Sequence, residues 1–540
     1  MSSHVASSNT LLWALVLFIA TYVCWSVVSQ HRSPLRRFPG PFLAKWTNLW
    51  RFYHTLRGDM HLVNLRAHRK YGPVVRTGPN NLDLDLSGLV RTVYSSDGRW
   101  SKTDFYPPAS NLMDGCIVYN LFSLRDPAEH ARQKRPVAKH YSLAGVLMLE
   151  PRVDETIRLL CRRLEERCMT SAWSGENGSH AMEEETGERF SLGFDLGQWI
   201  KMYAWDVIGQ VTFSKHFGYL KAGCDFDGHL WLSDKGADYL ASVSQMPWLD
   251  RLVDKNPLFP VAGATALLGP TLRHVEERYA ATAPPDRPKK AQDQDFLDKF
   301  LEAHHEHPDV VDRGRVVSYL AINMLAGADT TAIAIKAVLY YALRTPGIWQ
   351  KLVASVRDAF PTDLDLDDLT HAEDREGTAP SYTEVRSKVP YLEAVVREAL
   401  RMHPPVAMVL PRYVPAGGLE LPDGLGWVPP GTSVGMNPYV LGRNRGVWGS
   451  DADEFRPERL LRRSSLNEKT LVNSADLTFG AGSRVCLGKH LGLLQVYKVV
   501  ATLVWRYDLE LVEPNKEWWV RCAFFLRQEG LNVRVRRRRR

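Results

Sequence analysis

Phe479-Gly480-Ala481-Gly482-Ser483-Arg484-Val485-Cys486-Leu487-Gly488 is the stretch on which the reading of this chain turns. Two glycines and a small residue make a loop, a cysteine follows, and an apolar helix is predicted from Lys489 onward. A cysteine at a helix N-terminus, beside an arginine, sits where the dipole and unpaired backbone N–H groups stabilise a thiolate. Such a sulfur is either a nucleophile or a metal ligand. The glycines favour the ligand, because they let the backbone approach a flat cofactor closely. A buried structural cysteine in a glycine turn is the plainer alternative.

Working outward, residues 316–343 read as one long, mostly apolar helix, enough to cross roughly 40 Å. Its middle carries Ala326-Gly327-Ala328-Asp329-Thr330-Thr331. Glycine, an acid and two threonines are poor choices inside a buried helix. A hydroxyl there can take over a carbonyl and widen the helix locally. Rules broken at one point of an otherwise consistent helix point to function, with an ordinary kink as the alternative. Residues 391–403 form an amphipathic helix stopped by Pro404-Pro405, with Glu398 and Arg401 three apart on one face. By itself such a pair is usually a solvated one.

Together these pieces resemble the cytochrome P-450 family. The cysteine loop fills every fixed position of the signature Phe-x-x-Gly-x-Arg-x-Cys-x-Gly, and the helix segment fits [Ala/Gly]-Gly-x-[Asp/Glu]-Thr-[Thr/Ser]. The resemblance implies haem b (iron protoporphyrin IX), with Cys486 as axial iron ligand and Phe479, Gly482, Arg484 and Gly488 as cofactor contacts. It implies that Thr330 holds bound oxygen and its water while Asp329 relays protons from solvent. Glu398 and Arg401, with Arg459 of Phe455-Arg456-Pro457-Glu458-Arg459-Leu460, become a structural lock; Leu460 replaces the usual final Phe. His130 and Lys134 stand where the family carries the Trp and Arg that bind a haem propionate, with Arg135 as the alternative cation and Arg412 as the second propionate ligand. The implied fold is mainly α with small β-sheets, in a single catalytic domain at residues 46–535. The implied activity is an NADPH- and O2-dependent monooxygenase, an oxidoreductase, fed by a membrane-bound flavoprotein reductase. Arg132, Lys134, Arg135, Lys139 and Lys489 form the basic face that would dock this reductase. A non-oxygenating haem-thiolate isomerase or dehydratase, and a non-catalytic haem-binding protein, are the alternatives. The leader and the surroundings of the Glu-x-x-Arg pair look most like fungal enzymes of specialised metabolism, in the pisatin-demethylase-like group.

The rest of the chain bounds the setting. Of 540 residues, 45% are hydrophobic and 24% charged, so a large core is expected; the net charge of +7 fits an acidic partner or a membrane surface. No nucleic-acid partner is expected. Seven cysteines without CxxC spacing suit a reducing compartment and argue against a disulfide framework or a zinc module. Residues 11–28 carry no charge, and Arg32, Arg36, Arg37, Lys45 and Arg51 follow them. That pattern predicts a single transmembrane anchor within residues 1–30, lumenal N-terminus first, with the catalytic domain cytoplasmic at the endoplasmic reticulum. Pro34 and Phe38-Pro39-Gly40-Pro41 predict a stiff hinge at 31–45. Residues 71–86 alternate like strands, 105–122 form a pocket-shaping loop, and 170–191 read as an insertion bearing an Asn177 sequon. His304, His305 and His307 read as a solvated helix end, and 536–540 as a basic tail. Candidate pocket residues in the 105–122 loop, at Asn323 and Met324, at 406–410 and near Phe524 are mostly apolar. They favour a lipophilic substrate such as a terpenoid, polyketide or indole product.

Overall fold

In the computed structural model the described residues are 26–113, 115–166, 190–256, 268–281, 293–361, 380–461 and 475–538, with Trp13, Val16, Leu17, Ala20, Thr21 and Cys24. All but the last two residues of the expected insertion lie outside them, as do the Asn177 sequon and the last two arginines. Helices α1 (Phe42–Trp46) and α2 (Leu49–Arg57) precede in the chain those that surround the site, α3 (Pro127–Ala138), α4 (Leu196–Phe213), α5 (His229–Val243), α6 (Arg313–Arg344), α7 (Pro390–Met402) and α8 (Lys489–Arg506).

Helix α6 is the axis of the molecule. Asp312 caps it by accepting from the Arg315 N–H at 2.7 Å, and Pro346 follows its end at Thr345. It remains α-helical throughout, which corrects the expected widening. The Thr330 and Thr331 hydroxyls do bond back to the Ala326 and Gly327 carbonyls, at 2.6 and 2.8 Å. They add to the backbone ladder without opening it. Helix α4, apolar on nearly every face, packs along α6. Gly327 permits the close approach: a Cβ there would fall 2.7 Å from Ile208 Cδ1. Helices α7 and α8 close the other side of the same core.

A four-stranded sheet lies to one side in the order β1-β2-β9-β6, formed by β1 (Val74–Gly78), β2 (Asn81–Leu84), β6 (Arg412–Tyr413) and β9 (Ser433–Gly435). The β2–β9 pair is parallel, with Leu82 opposite Val434, and the others are antiparallel. Part of the expected 105–122 loop is a small hairpin, β3 (Asn111–Met113) with β4 (Cys116–Val118). A second hairpin pairs β11 (Trp519–Cys522) with β12 (Leu526–Glu529), and Phe524 and Phe525 form its tip.

The C-terminal residues depart from expectation. β13 (Asn532–Arg537) runs antiparallel to β10 (Tyr507–Leu511), and Arg536 and Arg538 reach Asp508 at 3.3 and 2.7 Å. Alternating Val533 and Val535 are buried, so the strand continues into what composition marks as a free tail. The proline segment is equally anchored. Leu35 and Phe38 are buried in the sheet-side core, and the Pro39 carbonyl accepts from the Arg76 N–H at 2.7 Å. The described residues from Trp13 to Arg32 are helical, with Trp13 and Leu17 exposed. Among the described residues, the helix that is long and apolar enough to cross a membrane is α6, which is mostly buried in the core.

Candidate active site

The cysteine loop is held from both ends. The Cys486 N–H donates to the Phe479 carbonyl at 2.7 Å, and Gly482 adopts a left-handed φ of 62°. A Cβ on Gly482 would collide with the Tyr94 carbonyl at 1.8 Å, so the loop needs glycine there to pack. Gly488 caps α8, and a Cβ on it would enter open space. Cys486 lies deep in the protein, yet its surface opens onto a cavity of about 370 Å3. Burial pushes its thiol pKa up, opposed by the Gly488 N–H and by Lys489 and Lys134. Arg484 plays no part in that balance. Its guanidinium donates to the carbonyls of Leu124, Arg125 and Asp126, tying the loop to the start of α3. A sulfur in this setting becomes an anion when a metal takes it.

Thr330, Thr331, Ala326 and Gly327 of α6 line the cavity that Cys486 lines, along with Phe524 and Phe525 of the hairpin tip. Its wall is mostly apolar. Asp329 does not reach it. The carboxylate is 3% exposed and turned into the α4–α5 side, where it accepts from Trp205 Nε1 at 3.1 Å and Ser233 Oγ at 2.7 Å. A direct path from solvent to the cavity through Asp329, as the sequence implies, is therefore not what the fold provides.

The basic side chains around the cavity decide what it can hold. Lys102, His130, Lys134, Arg412 and Arg484 all line it. Among the described residues none of the four Lys and Arg side chains has a carboxylate within salt-bridge reach. Lys102, 4% exposed, donates to the Phe122 carbonyl at 2.6 Å and lies over the Tyr106 and Phe122 rings at 4.2 and 4.5 Å. Burial and then the charges of Arg412 and Arg484 push its pKa well down. Arg484 is lowered to about 10 by burial and Arg412, and His130 to about 3 by burial and then Arg484. Arg412 donates to Tyr106 Oη at 2.7 Å, and Lys134 to the Ser483 carbonyl at 3.3 Å. Arg135 is exposed and stands apart from the cavity lining, which removes it as the alternative cation. Like charges clustered in a low-dielectric wall call for an anion between them. A flat group with two carboxylates and a metal facing Cys486 meets that demand, so the donor set and the space over Gly488 fit haem.

Lys102 was not legible beforehand, since Trp100-Ser101-Lys102-Thr103 reads as an ordinary loop. An isolated bridge to Arg412 brings it to the site.

Beneath this layer, Glu398 is wholly buried. Arg401 meets it with two bonds, Nε to Oε2 at 2.8 Å and Nη2 to Oε1 at 2.7 Å. Arg459 Nε and the Arg456 N–H reach Oε1 at 2.8 and 2.9 Å. The guanidiniums continue to the carbonyls of Gly442, Ala452 and Glu454 from Arg401, and of Trp448, Asp451 and Glu454 from Arg459. The three residues thus join α7 to the segment that leads into the cysteine loop.

A mainly helical chain with small sheets, a cysteine under a cation-rimmed cavity and an Asp-Thr segment across from it define an oxidoreductase of the haem-thiolate class. The cytochrome P450 family model matches residues 39–533. The chain is 40% identical to the cytochrome P450 monooxygenase cfoH of Aspergillus candidus, covering 99% of this chain and 94% of that protein. It is 35% identical to pkfB (97% and 96% covered) and 32% identical to cicH (97% and 98%), both cytochrome P450 monooxygenases of Emericella nidulans. The chain belongs to the cytochrome P450 family, and to the oxygen-inserting oxidoreductases within it.

Proposed function

We propose that the protein is a fungal, membrane-anchored monooxygenase of specialised metabolism, inserting one atom of O2 into a lipophilic small molecule such as a terpenoid, polyketide or indole product. The observation that carries this reading is the shared cavity: Cys486 and the Thr330 segment line one mostly apolar space. Haem would be held by Cys486 at the metal, by Lys102, Arg412 and Arg484 at its carboxylates, and by the backbone at Gly482 and Gly488. When bound, it supplies a thiolate-ligated iron that favours cleavage of the O–O bond. The chain's own groups do the rest. Thr330 presents a hydroxyl at the cavity wall, Asp329 stands behind that wall as the carboxylate that relays protons, and Phe524 and Phe525 exclude water from the substrate.

Electrons come from NADPH through a membrane-bound flavoprotein reductase docking on the basic face of α3 and Lys489. All three of Arg132, Arg135 and Lys139 are exposed, but Arg132 is paired with Glu129 at 2.7 Å and Lys139 with Glu306 at 3.3 Å, whereas Arg135 has no carboxylate in salt-bridge reach among the described residues. We assign the protein to the endoplasmic reticulum, single-pass, catalytic domain toward the cytoplasm. Exposed apolar side chains support this: Phe42 (72%), Leu43, Leu49 and Leu56 on α1 and α2 continue the apolar run at 11–28.

The test is spectral and chemical. Reduced protein under carbon monoxide should give the red-shifted band of a thiolate-ligated haem, which Cys486→Ala should abolish. Microsomes supplied with NADPH and a metabolite panel should yield products carrying one oxygen from O2. Absence of the band in the wild type defeats the thiolate assignment, and turnover without NADPH or O2 defeats the monooxygenase assignment.

A further inference from the structure

Asp329 sits one residue from the cavity wall without touching the cavity. Both of its oxygens are held by neutral donors, Trp205 of α4 on one and Ser233 of α5 on the other. Among the described residues no cation lies within salt-bridge distance of it, although Lys336 feels its charge. Lys336, two turns along α6, donates to the Gln528 carbonyl at 3.1 Å. Lys201 and Arg527 hold the neighbouring Asp234, at 2.8 and 3.0 Å. The carboxylate is thus fixed in place by hydrogen bonds that a proton transfer can reverse, and is not locked in an ion pair.

Of the two donors, Ser233 lines the cavity and Trp205 does not. Ser233, 1% exposed, therefore bonds Asp329 through Oγ and is itself one of the residues of the cavity wall. A serine hydroxyl donates one hydrogen bond and accepts two. Once a proton from solvent has been delivered to the Asp329 carboxylate, the Ser233 hydroxyl, which now donates to Oδ2, can turn to accept that proton while its own leaves for an acceptor in the cavity. One proton crosses, no other bond changes, and the hydroxyl is regenerated by rotation. Thr330 also lines the cavity, but its hydroxyl proton is directed at the Ala326 carbonyl, 2.6 Å away.

We propose that Ser233 is the hydroxyl that passes protons from Asp329 into the cavity, with Trp205 positioning the opposite carboxylate oxygen. This deepens the monooxygenase reading and rests on it, because oxygen reduction is what consumes protons there. It also gives α5 a chemical role besides that of lining the cavity.

The experiment compares wild type, Ser233→Ala and Ser233→Thr as haem-loaded enzymes with reductase, on a substrate the wild type turns over. Ser233→Ala should oxidise NADPH but divert it to peroxide, with a severalfold smaller product fraction and a larger solvent deuterium isotope effect. Ser233→Thr, which keeps the hydroxyl, should restore both. A readout independent of turnover is the infrared carboxyl band identified by its loss in Asp329→Asn, which should move when the Ser233 donor is removed. If Ser233→Ala does not take up haem, Ser233→Cys preserves the side-chain volume with a poor donor and should uncouple in the same way. Coupling and isotope effect equal to wild type in a folded Ser233→Ala or Ser233→Cys overturns the proposal. In that event an intact carbon monoxide band leaves the thiolate and monooxygenase readings standing, whereas a missing band in the wild type overturns those instead.

Discussion

Arg401→Ala tests the buried lock most sharply. The substitution deletes a cation that makes two bonds to a fully buried carboxylate and further bonds to the carbonyls of Gly442, Ala452 and Glu454. Removing one partner of a buried ion pair costs about 3–5 kcal/mol, because the other charge is left in a poor solvent. Glu398 is not left bare here: Arg459 and the Arg456 N–H still reach it. That places the charge penalty near the lower end, about 3 kcal/mol. Each backbone carbonyl stranded in the protein adds about 1 kcal/mol unless water fills the vacated space. With the Gly442 and Ala452 carbonyls stranded and that of Glu454 still held by Arg459, a loss of about 5 kcal/mol is then expected, a large share of the roughly 5–15 kcal/mol that a fold commands. Urea unfolding followed by far-ultraviolet circular dichroism measures it, with Arg401→Lys as the comparison. Lysine keeps the charge but cannot make the two-pronged contact, so it should fall between. An Arg401→Ala midpoint shift worth less than about 1 kcal/mol, the scale of a surface pair, would refute the reasoning.

Other outcomes follow from named contacts. Lys102→Met should weaken haem retention by on the order of ten- to a hundredfold, from a lost charge-assisted bond of about 1.5–3 kcal/mol, read as transfer of haem to a scavenger protein. Thr330→Ala should keep the haem spectrum and raise peroxide formed per NADPH; full coupling on the true substrate would remove Thr330 from oxygen handling. Arg135→Glu should slow reduction by the reductase and flatten its dependence on salt, without the disruption that reversal at Arg132 or Lys139 brings through Glu129 and Glu306. His403 is buried and neutral, its pKa lowered to about 3 by burial despite its bond to the Leu526 carbonyl. The unfolded chain takes up that proton below pH about 6.5 while the fold does not, so stability is fully present above that pH and falls from there toward about 3. His403→Gln should flatten that part of the stability profile, measured as urea midpoints from neutral to mildly acid pH.

What could be read in advance was local. The Cys486 loop, the Asp329-Thr330 segment and the Glu398–Arg401 spacing each lie within ten residues of chain, where motif and helical period carry the message. Helix α6 was legible for the same reason, its apolar run read at 316–343 and its helix found at Arg313–Arg344. Contacts between distant segments were not. Lys102 meets the cavity through a bridge to Arg412, 310 positions away, and no periodicity reports such a partner. Asp329 turns from the cavity because Trp205 and Ser233 bind it, which the hydrophobic pattern of α6 cannot express. The run of arginines at the C-terminus hid β13, because charge composition outweighed the alternating Val533 and Val535. Arg135 drew attention by its charge, but it faces solvent while Lys134, one residue before it, lines the cavity.

The proline segment has a consequence for how the molecule sits. With Leu35 and Phe38 plugged into the sheet-side core and Pro39 bonded to Arg76, residues 33–41 act as a bracket and not as a swivel. Whatever heading the helix ending at Arg32 takes, the catalytic body inherits it. For the membrane attachment proposed above, tilt on the bilayer would then be a property of the leader's last turn, and cutting the bracket loose would let the body roll, leaving its catalytic groups untouched while changing which face meets the lipid.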